Sequence, residues 1–182
     1  DDAMTVETLE NGTKVGIHIA DVSYFVKRGS KVDVEAEKRG TSHYKGHPNG
    51  EALMLPEGLS YDICSLLPNK ERLAVSIYID LDRDGLVQRE EQLNFCRTIV
   101  RSQCRLSYAE AQRIIMEEPI EAGPEVTSEI RESIKTLSDV AQKRRKVRLA
   151  DGSFYHFNYA DRKEDLEAHE LVEEMMILAN ES

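Results

Sequence analysis

Two carboxylates open the chain: Asp1 and Asp2 stand side by side just before a segment that reads as a strand. Adjacent like charges repel, so the pair either holds a cation between its oxygens or is a solvated acidic terminus. A second acidic set lies in DLDRDGLVQREE. There Asp80, Asp82, Asp84, Gly85, Val87 and Glu91 fall on positions one, three, five, six, eight and twelve of a calcium loop. The flanks decide against an EF-hand, because the preceding residues alternate with period two and are β-branched. Asp84-Gly85 is then a tight-turn dipeptide between strands. His43 and His47 are separated by a helical turn's worth of residues, but Gly46 and Pro48 forbid the helix that would align them as metal ligands. The basic run KRRKVR, Lys143 to Arg148, has the charge to hold phosphates. It also sits in the last turns of an expected helix, where cations complement the dipole, and that reading is preferred. Near the C-terminus, Ala168, Val172, Met175 and Ala179 make an apolar helical stripe, with His169, Glu173 and Asn180 along one edge. Such a polar row either touches a ligand at a cleft rim or is the solvated edge of an amphipathic helix.

These residues need elements to position them. Residues 13–20 alternate Val15, Ile17 and Ile19 on one side, and the Asn11-Gly12 dipeptide before them predicts a hairpin with AMTVETL. Ser30 and Asp33 form a capping-box pattern for a short helix ending at Gly40. Residues 41–72 are rich in Gly, Pro and polar side chains, too long for an idle connection, and long ordered loops tend to carry function. RLAVSIYIDL and LVQREEQLNFCRTIV predict a second hairpin. From Ser107, again with a Glu three residues on, the pattern turns helical through SYAEAQRIIMEE, then over 125–148, then over 164–180. Strands followed by helices predict an α+β fold, with a mixed or antiparallel sheet of hairpins and helices packed on it.

Composition bounds the function. The chain has 182 residues, 40% of them hydrophobic, enough to bury a core. No apolar run approaches the roughly 18 residues of a membrane span and no signal peptide opens the chain, so a soluble, intracellular protein with no membrane partner is expected. Its three cysteines, Cys64, Cys96 and Cys104, form no C-x-x-C pair, which argues against a disulfide framework or a zinc site. A net charge of −10 lacks the basic footprint usual for nucleic-acid binders. There is no initiator Met and the sequence stops inside an apparent helix, so an excised piece, truncated at both ends, is expected.

Several co-linear segments together carry a resemblance. DDAMTVE, VGIHIADVSYFV, DVEAEKRGTSHY, LMLPEGLSYDICSLLPNKERLAVSIYIDLDRDG and VEEMMILAN resemble successive signature segments of the RNase II/RNB exoribonucleases, from the first residue to about Asn180. The resemblance implies that residues 1–182 are the N-terminal part of one RNB-like catalytic domain. It implies an activity too: degradation of single-stranded RNA from the 3′ end by Mg²⁺-dependent hydrolysis, releasing nucleoside 5′-monophosphates. Asp1 and Asp2 match the last two of the family's four acidic-motif aspartates. On that match Asp2 is a magnesium ligand and Asp1 acts on the metal or its water. Tyr44 in GTSHY matches the tyrosine that stacks on the last nucleotide. Tyr108 in RLSYAEA matches a tyrosine near the 3′-terminal nucleotide, and Glu173 a glutamate that helps it sense ribose. Asp21 takes a supporting role.

The departures carry their own expectations. The family's first two aspartates would lie upstream. The basic residues of the domain's second half, including the arginine on the phosphates, would lie downstream, which offers a reason for the acidic balance. The piece alone is therefore expected not to degrade RNA. The wording EAHELVEEMMILANES resembles the animal helicase-with-zinc-finger co-activators, implying accessory RNA-binding or helicase domains in the same full-length chain and a cytoplasmic or nuclear location. The alternative is an RNB-like domain without catalysis, acting as an RNA-binding or protein-docking module in a larger regulator.

Overall fold

The computed structural model describes residues 2–43, 50–88, 94–120, 125–152 and 165–181. Four strands, β1 (Ala3–Leu9), β2 (Gly12–Ala20), β3 (Glu71–Asp82) and β4 (Asn94–Arg101), form one sheet in the order β1-β2-β3-β4. The helices are α1 (Val22–Phe25), α2 (Lys31–Arg39), α3 (Tyr108–Ile115), α4 (Ser128–Ala150) and α5 (Leu166–Glu181), with a single π-helical turn at Leu59–Ile63. Both expected hairpins and all four expected helices are present, and the class is α+β with an antiparallel sheet. The chain divides into two compact units, one of residues 2–3, 18–75 and 97–103, the other of residues 4–17, 76–96 and 104–181. Among the described residues no helix is long and apolar enough to cross a membrane.

The interior strands are more buried than simple alternation implies. In β2, Val15 and Ile17 have no exposed surface, but the intervening Gly16 and His18 are buried as well, so the middle of the strand is covered on both faces. Burial pushes the His18 imidazole below its ordinary pKa. In β3 the expected inward set holds from Ile77 through Ile79 to Leu81. Earlier in the strand, Ala74 and Ser76 are the buried positions, and Leu73 and Val75 are half-buried. The buried face changes side near residue 76.

In the first unit, the helix expected from Ser30 is α2. Ser30 Oγ accepts from the Asp33 N–H, while the Asp33 carboxylate reaches one residue further back, to the Gly29 N–H at 2.7 Å. Gly40 ends the helix in the left-handed region. The long segment after it is tied in several places. Arg39 Nη1 donates to the Leu53 carbonyl at 2.7 Å, His43 and Ala52 form an antiparallel bridge, and Arg72 Nε donates to the Ser65 carbonyl at 3.1 Å. Between α2 and this segment lies a cavity of about 910 Å³, lined largely by Val32, Leu53, Met54, Leu55, Pro56 and Tyr61. Cys64 is a buried free thiol, its pKa raised by burial and then by the charge of Asp21. Cys96 and Cys104 likewise form no disulfide among the described residues.

In the second unit the two hairpin turns and the helices make the core. Gly12 is required by close approach: a Cβ there would sit 1.9 Å from the Leu81 carbonyl oxygen. Arg83, Asp84 and Gly85 follow β3 as a tight turn, with Leu81 and Val87 paired across it. The Asp82 carboxylate accepts from the Asp84 and Leu86 N–H groups, both at 2.9 Å, and Asp80 pairs with Lys14 at 3.7 Å. The calcium-like pattern is therefore a hairpin whose aspartate serves its own turn, and Glu91 lies outside the described residues. Gly85, at φ +82°, rests against α4, where a Cβ would be 3.1 Å from Lys143 Cβ. Helices α3, α4 and α5 all pack on one another.

Candidate functional site

In the first unit, Asp2 is an exposed carboxylate immediately ahead of β1. Asp1, Tyr44 and His47 lie outside the described residues. Among the described residues no group of three or more His, Cys, Asp or Glu side chains is placed to hold a metal ion. The donor chemistry of Asp2, a hard carboxylate oxygen open to water, suits Mg²⁺, which takes oxygen ligands and keeps several waters. Asp21 has a local task. Its Oδ1 accepts from the Ser23 hydroxyl at 2.6 Å and the Tyr24 N–H at 3.1 Å, capping α1, and its Oδ2 lies 3.1 Å from Arg97 Nε. Its backbone N–H bonds the Leu73 carbonyl at 3.0 Å. Asp21 is thus a buried carboxylate that ties α1 to the sheet.

In the second unit, Tyr108 is the first residue of α3, and its place is fixed by a capping box. Ser107 Oγ accepts from the Glu110 N–H, and Glu110 Oε2 accepts from the Ser107 N–H at 2.7 Å. Those bonds hold the Glu110 carboxyl below its ordinary pKa. The Tyr108 ring lies on the His169 imidazole of α5, with centroids 3.6 Å apart and planes 20° from parallel. Such aromatic pairs contribute about 0.5–1.5 kcal/mol beyond the area they bury. His169 is in turn paired through Nε2 with Asp165 at 3.5 Å. Gln112, one turn along α3 from Tyr108, accepts from the Ala168 N–H at 3.0 Å. That bond satisfies one of the N–H groups that every helix leaves open at its start.

Glu173 follows His169 by one turn of α5, so the two share a face of the helix. The structure therefore places Tyr108 and Glu173, both expected from the resemblance, around one stretch of α5 by way of His169. Glu173 Oε2 is 3.7 Å from Arg145 Nη1. The same guanidinium meets Glu170 at 3.2 Å and Glu174 at 3.4 Å. Glu174 is the buried member, 2% exposed, and Arg148 contacts both its oxygens, Nε at 3.2 Å from each. Hydrogen bonding to Glu174 is the main cause that raises the Arg148 pKa. Burial pushes the Glu170 carboxyl up, against the opposing pull of Arg145.

The structure adds to two sequence readings of this region. The run Lys143 to Arg148 does lie in the last turns of α4, and Arg145 and Arg148 also form an ion-pair seam between α4 and α5, with Arg144 adding a 3.2 Å contact to Glu181. The polar row His169, Glu173, Asn180 also splits. His169 is buried and Glu173 half-buried, whereas Asn180 is exposed and bonds back to the Met176 carbonyl at 2.8 Å. The apolar stripe is broader than expected and shifted, running through Ala168, Leu171, Met175, Leu178 and Ala179 with Val172 only half-buried, because α5 packs against both α3 and α4. The signal for the seam was present in opposed charges at helical spacing, Arg145 and Arg148 on one helix and Glu170, Glu173 and Glu174 on the other.

Comparisons with known proteins agree with the fold and extend it. The chain is 37% identical to the DIS3-like exonuclease 2 of Schizosaccharomyces pombe over 209 residues, covering 100% of this chain and 22% of that protein. It is equally 37% identical, over 207 residues, to a protein of Arabidopsis thaliana named inactive exonuclease DIS3L2, covering 99% of this chain and 19% of that one. The chain thus spans about a fifth of the length of these relatives. A solved structure of Mycoplasma genitalium RNase R in complex with double-stranded RNA superposes with a TM-score of 0.82 at 24% identity, over 98% of this chain and 33% of that one, and so shares its fold. The RNB domain pattern matches residues 1–182 from end to end, and the chain belongs to the RNB domain family.

Proposed function

We propose that this chain is part of a 3′-to-5′ exoribonuclease domain that hydrolyses single-stranded RNA to nucleoside 5′-monophosphates with Mg²⁺. The observation that carries the reading is the pair of adjacent carboxylates, Asp1 and Asp2, that directly precedes β1 in sequence, in a chain that matches the RNB domain over its whole length. A docking module has no physical need for two adjacent carboxylates there. Asp1 and Asp2 would hold the magnesium ion, which when bound eases formation of hydroxide from water and offsets the charge that builds on the scissile phosphate.

The chain's own residues do the rest. Tyr44 stacks on the terminal base, a contact worth about 1–3 kcal/mol and indifferent to sequence. Tyr108, held by its capping box and its stack on His169, lies beside the 3′-terminal ribose. Glu173, oriented by Arg145, accepts from the 2′-hydroxyl, the group by which a protein tells RNA from DNA. In the reaction the oxygen of water bonds to phosphorus and the bond from phosphorus to the 3′ oxygen of the preceding ribose breaks. That oxygen takes up a proton and the 5′-monophosphate leaves. The wording of α5 extends the proposal to accessory RNA-binding or helicase domains in the same full-length chain, in the cytoplasm or nucleus.

One observation favours a second reading. A relative as similar as any exonuclease described above carries the name of an inactive one, so an RNB-like domain that binds RNA or a protein without cutting is the alternative. The experiment is trimming of 5′-labelled single-stranded RNA by the full-length domain with Mg²⁺, beside Asp1→Asn. The proposal expects a ladder that shortens from the 3′ end in the parent and is absent from the variant. Binding without shortening by the parent overturns it in favour of the module, and the isolated 182-residue piece is expected to show no trimming.

A further inference from the structure

His169 was visible in the sequence as part of a polar row, and the proposed chemistry gives it no task, yet it is among the most constrained side chains near Tyr108. Its imidazole is 8% exposed and lies flat against the Tyr108 ring, 3.6 Å between centroids, while Tyr108 itself is 41% exposed. The histidine is thus the buried layer of the stack and the tyrosine the outer one. Asp165, the residue just ahead of α5, lies 3.5 Å from Nε2 of the ring and also accepts the His169 backbone N–H at 3.2 Å through its carbonyl, so the contact on the ring comes from the start of the same helix. The Gln112 to Ala168 bond clamps the two helices on either side of the stack. A tyrosine at the first position of a short helix has a free χ1 and χ2 unless something covers a face of its ring. Here the imidazole removes that freedom.

We propose that His169, one helical turn from Glu173 on α5, is a positioning residue for ribose recognition: it sets the plane of the Tyr108 ring and with it the direction of the phenol oxygen. This rests on the reading of Tyr108 and Glu173 as the groups that sense the 3′-terminal ribose. Any flat ring at position 169 serves the purpose, because the requirement is a stacking surface and not a proton. His169→Phe therefore keeps the function and His169→Ala loses it.

The test uses the full-length protein, with binding measured without Mg²⁺ so that no cutting is needed. Two probes are compared, a labelled oligoribonucleotide and the same oligomer with a 2′-deoxy 3′-terminal nucleotide. The ring signal of Tyr108 is followed in parallel by NMR with ¹³C-tyrosine, assigned with Tyr108→Phe. In His169→Ala the Tyr108 signal is expected to move and the ribose preference to fall about three- to tenfold, as the loss of one aromatic stack implies. His169→Phe is expected to restore most of the preference at unchanged melting temperature. A parent that prefers ribose while His169→Ala prefers it equally, or a His169→Phe as impaired as His169→Ala, overturns the positioning role alone. A parent with no ribose preference overturns the reading of Tyr108 and Glu173, and the positioning role with it.

Discussion

Asp62 and Glu174 are each a carboxylate held by two cations, and they sit in different regions of the molecule. Asp62, in the π-helical turn, has Arg72 at 2.7 Å and Lys70 at 3.4 Å, and its side chain is 59% exposed. Glu174, on α5, has Arg145 and Arg148, and its side chain is 1% exposed. The ingredients match, but the solvent differs. Around Asp62, water screens the attraction and would solvate any partner left alone. Around Glu174, water has been removed, so the pairing has become obligatory even though its net contribution to stability is small. Contact distance therefore says little about what a pair does, and burial says a great deal. The seam joins the faces of α4 and α5 that meet, and Glu173, one turn from His169, is one of its members.

That contrast can be broken most severely at Arg148. Arg148→Ala leaves Glu174 short of its closest partner in a dry seam and is expected to cost about 3–5 kcal/mol, read by urea or thermal unfolding. Converting both partners, Arg148→Met with Glu174→Leu, is expected to recover most of that loss; a double variant as unstable as the single one would mean that the charges and not the packing hold the seam. Asp62→Asn is expected to cost about 0–1 kcal/mol in the same assay, since Arg72 keeps the Ser65 carbonyl. A loss there comparable to Arg148→Ala would abolish the distinction. The smallest effect belongs to Glu110, whose carboxylate has the backbone and hydroxyl of Ser107 as partners. Its pKa is held down in the folded state, so its contribution is complete above the ordinary carboxylate range and is lost as pH falls through the lowered value. The stability gap between the parent and Glu110→Gln should accordingly shrink to nothing on acidification, and a gap that widened would reverse the sign of the linkage.

Much of the fold was legible because its signals are local. Asn11-Gly12, the Asp84-Gly85 turn, and the caps Ser30 and Ser107 each declare an element boundary within a few residues. What escaped was either too short to have a period or decided by a distant partner. The four residues of α1 and the π-helical turn at Leu59–Ile63 carry no periodicity to detect, and α1 depends on the Asp21 cap. Burial of His18 and Glu174, and the shifted stripe of α5, follow from neighbours that the local pattern does not name. The site divides in the same way. Asp2 stood out by adjacency and Glu173 by helical spacing, and the family resemblance gave them roles and added Tyr108; the stack of Tyr108 on His169 is a meeting of residues far apart in sequence that no spacing rule announces.

The bond from Gln112 to the Ala168 N–H spans 56 residues of sequence. The start of α5 thus depends on a group that arrives only when α3 has docked. Closing a loop of that length costs chain entropy before any contact rewards it. The first turn of α5, the turn that carries His169, is therefore completed by a contact from far along the chain. The geometry of the Tyr108 stack is a property of the docked helices together and not of either helix on its own.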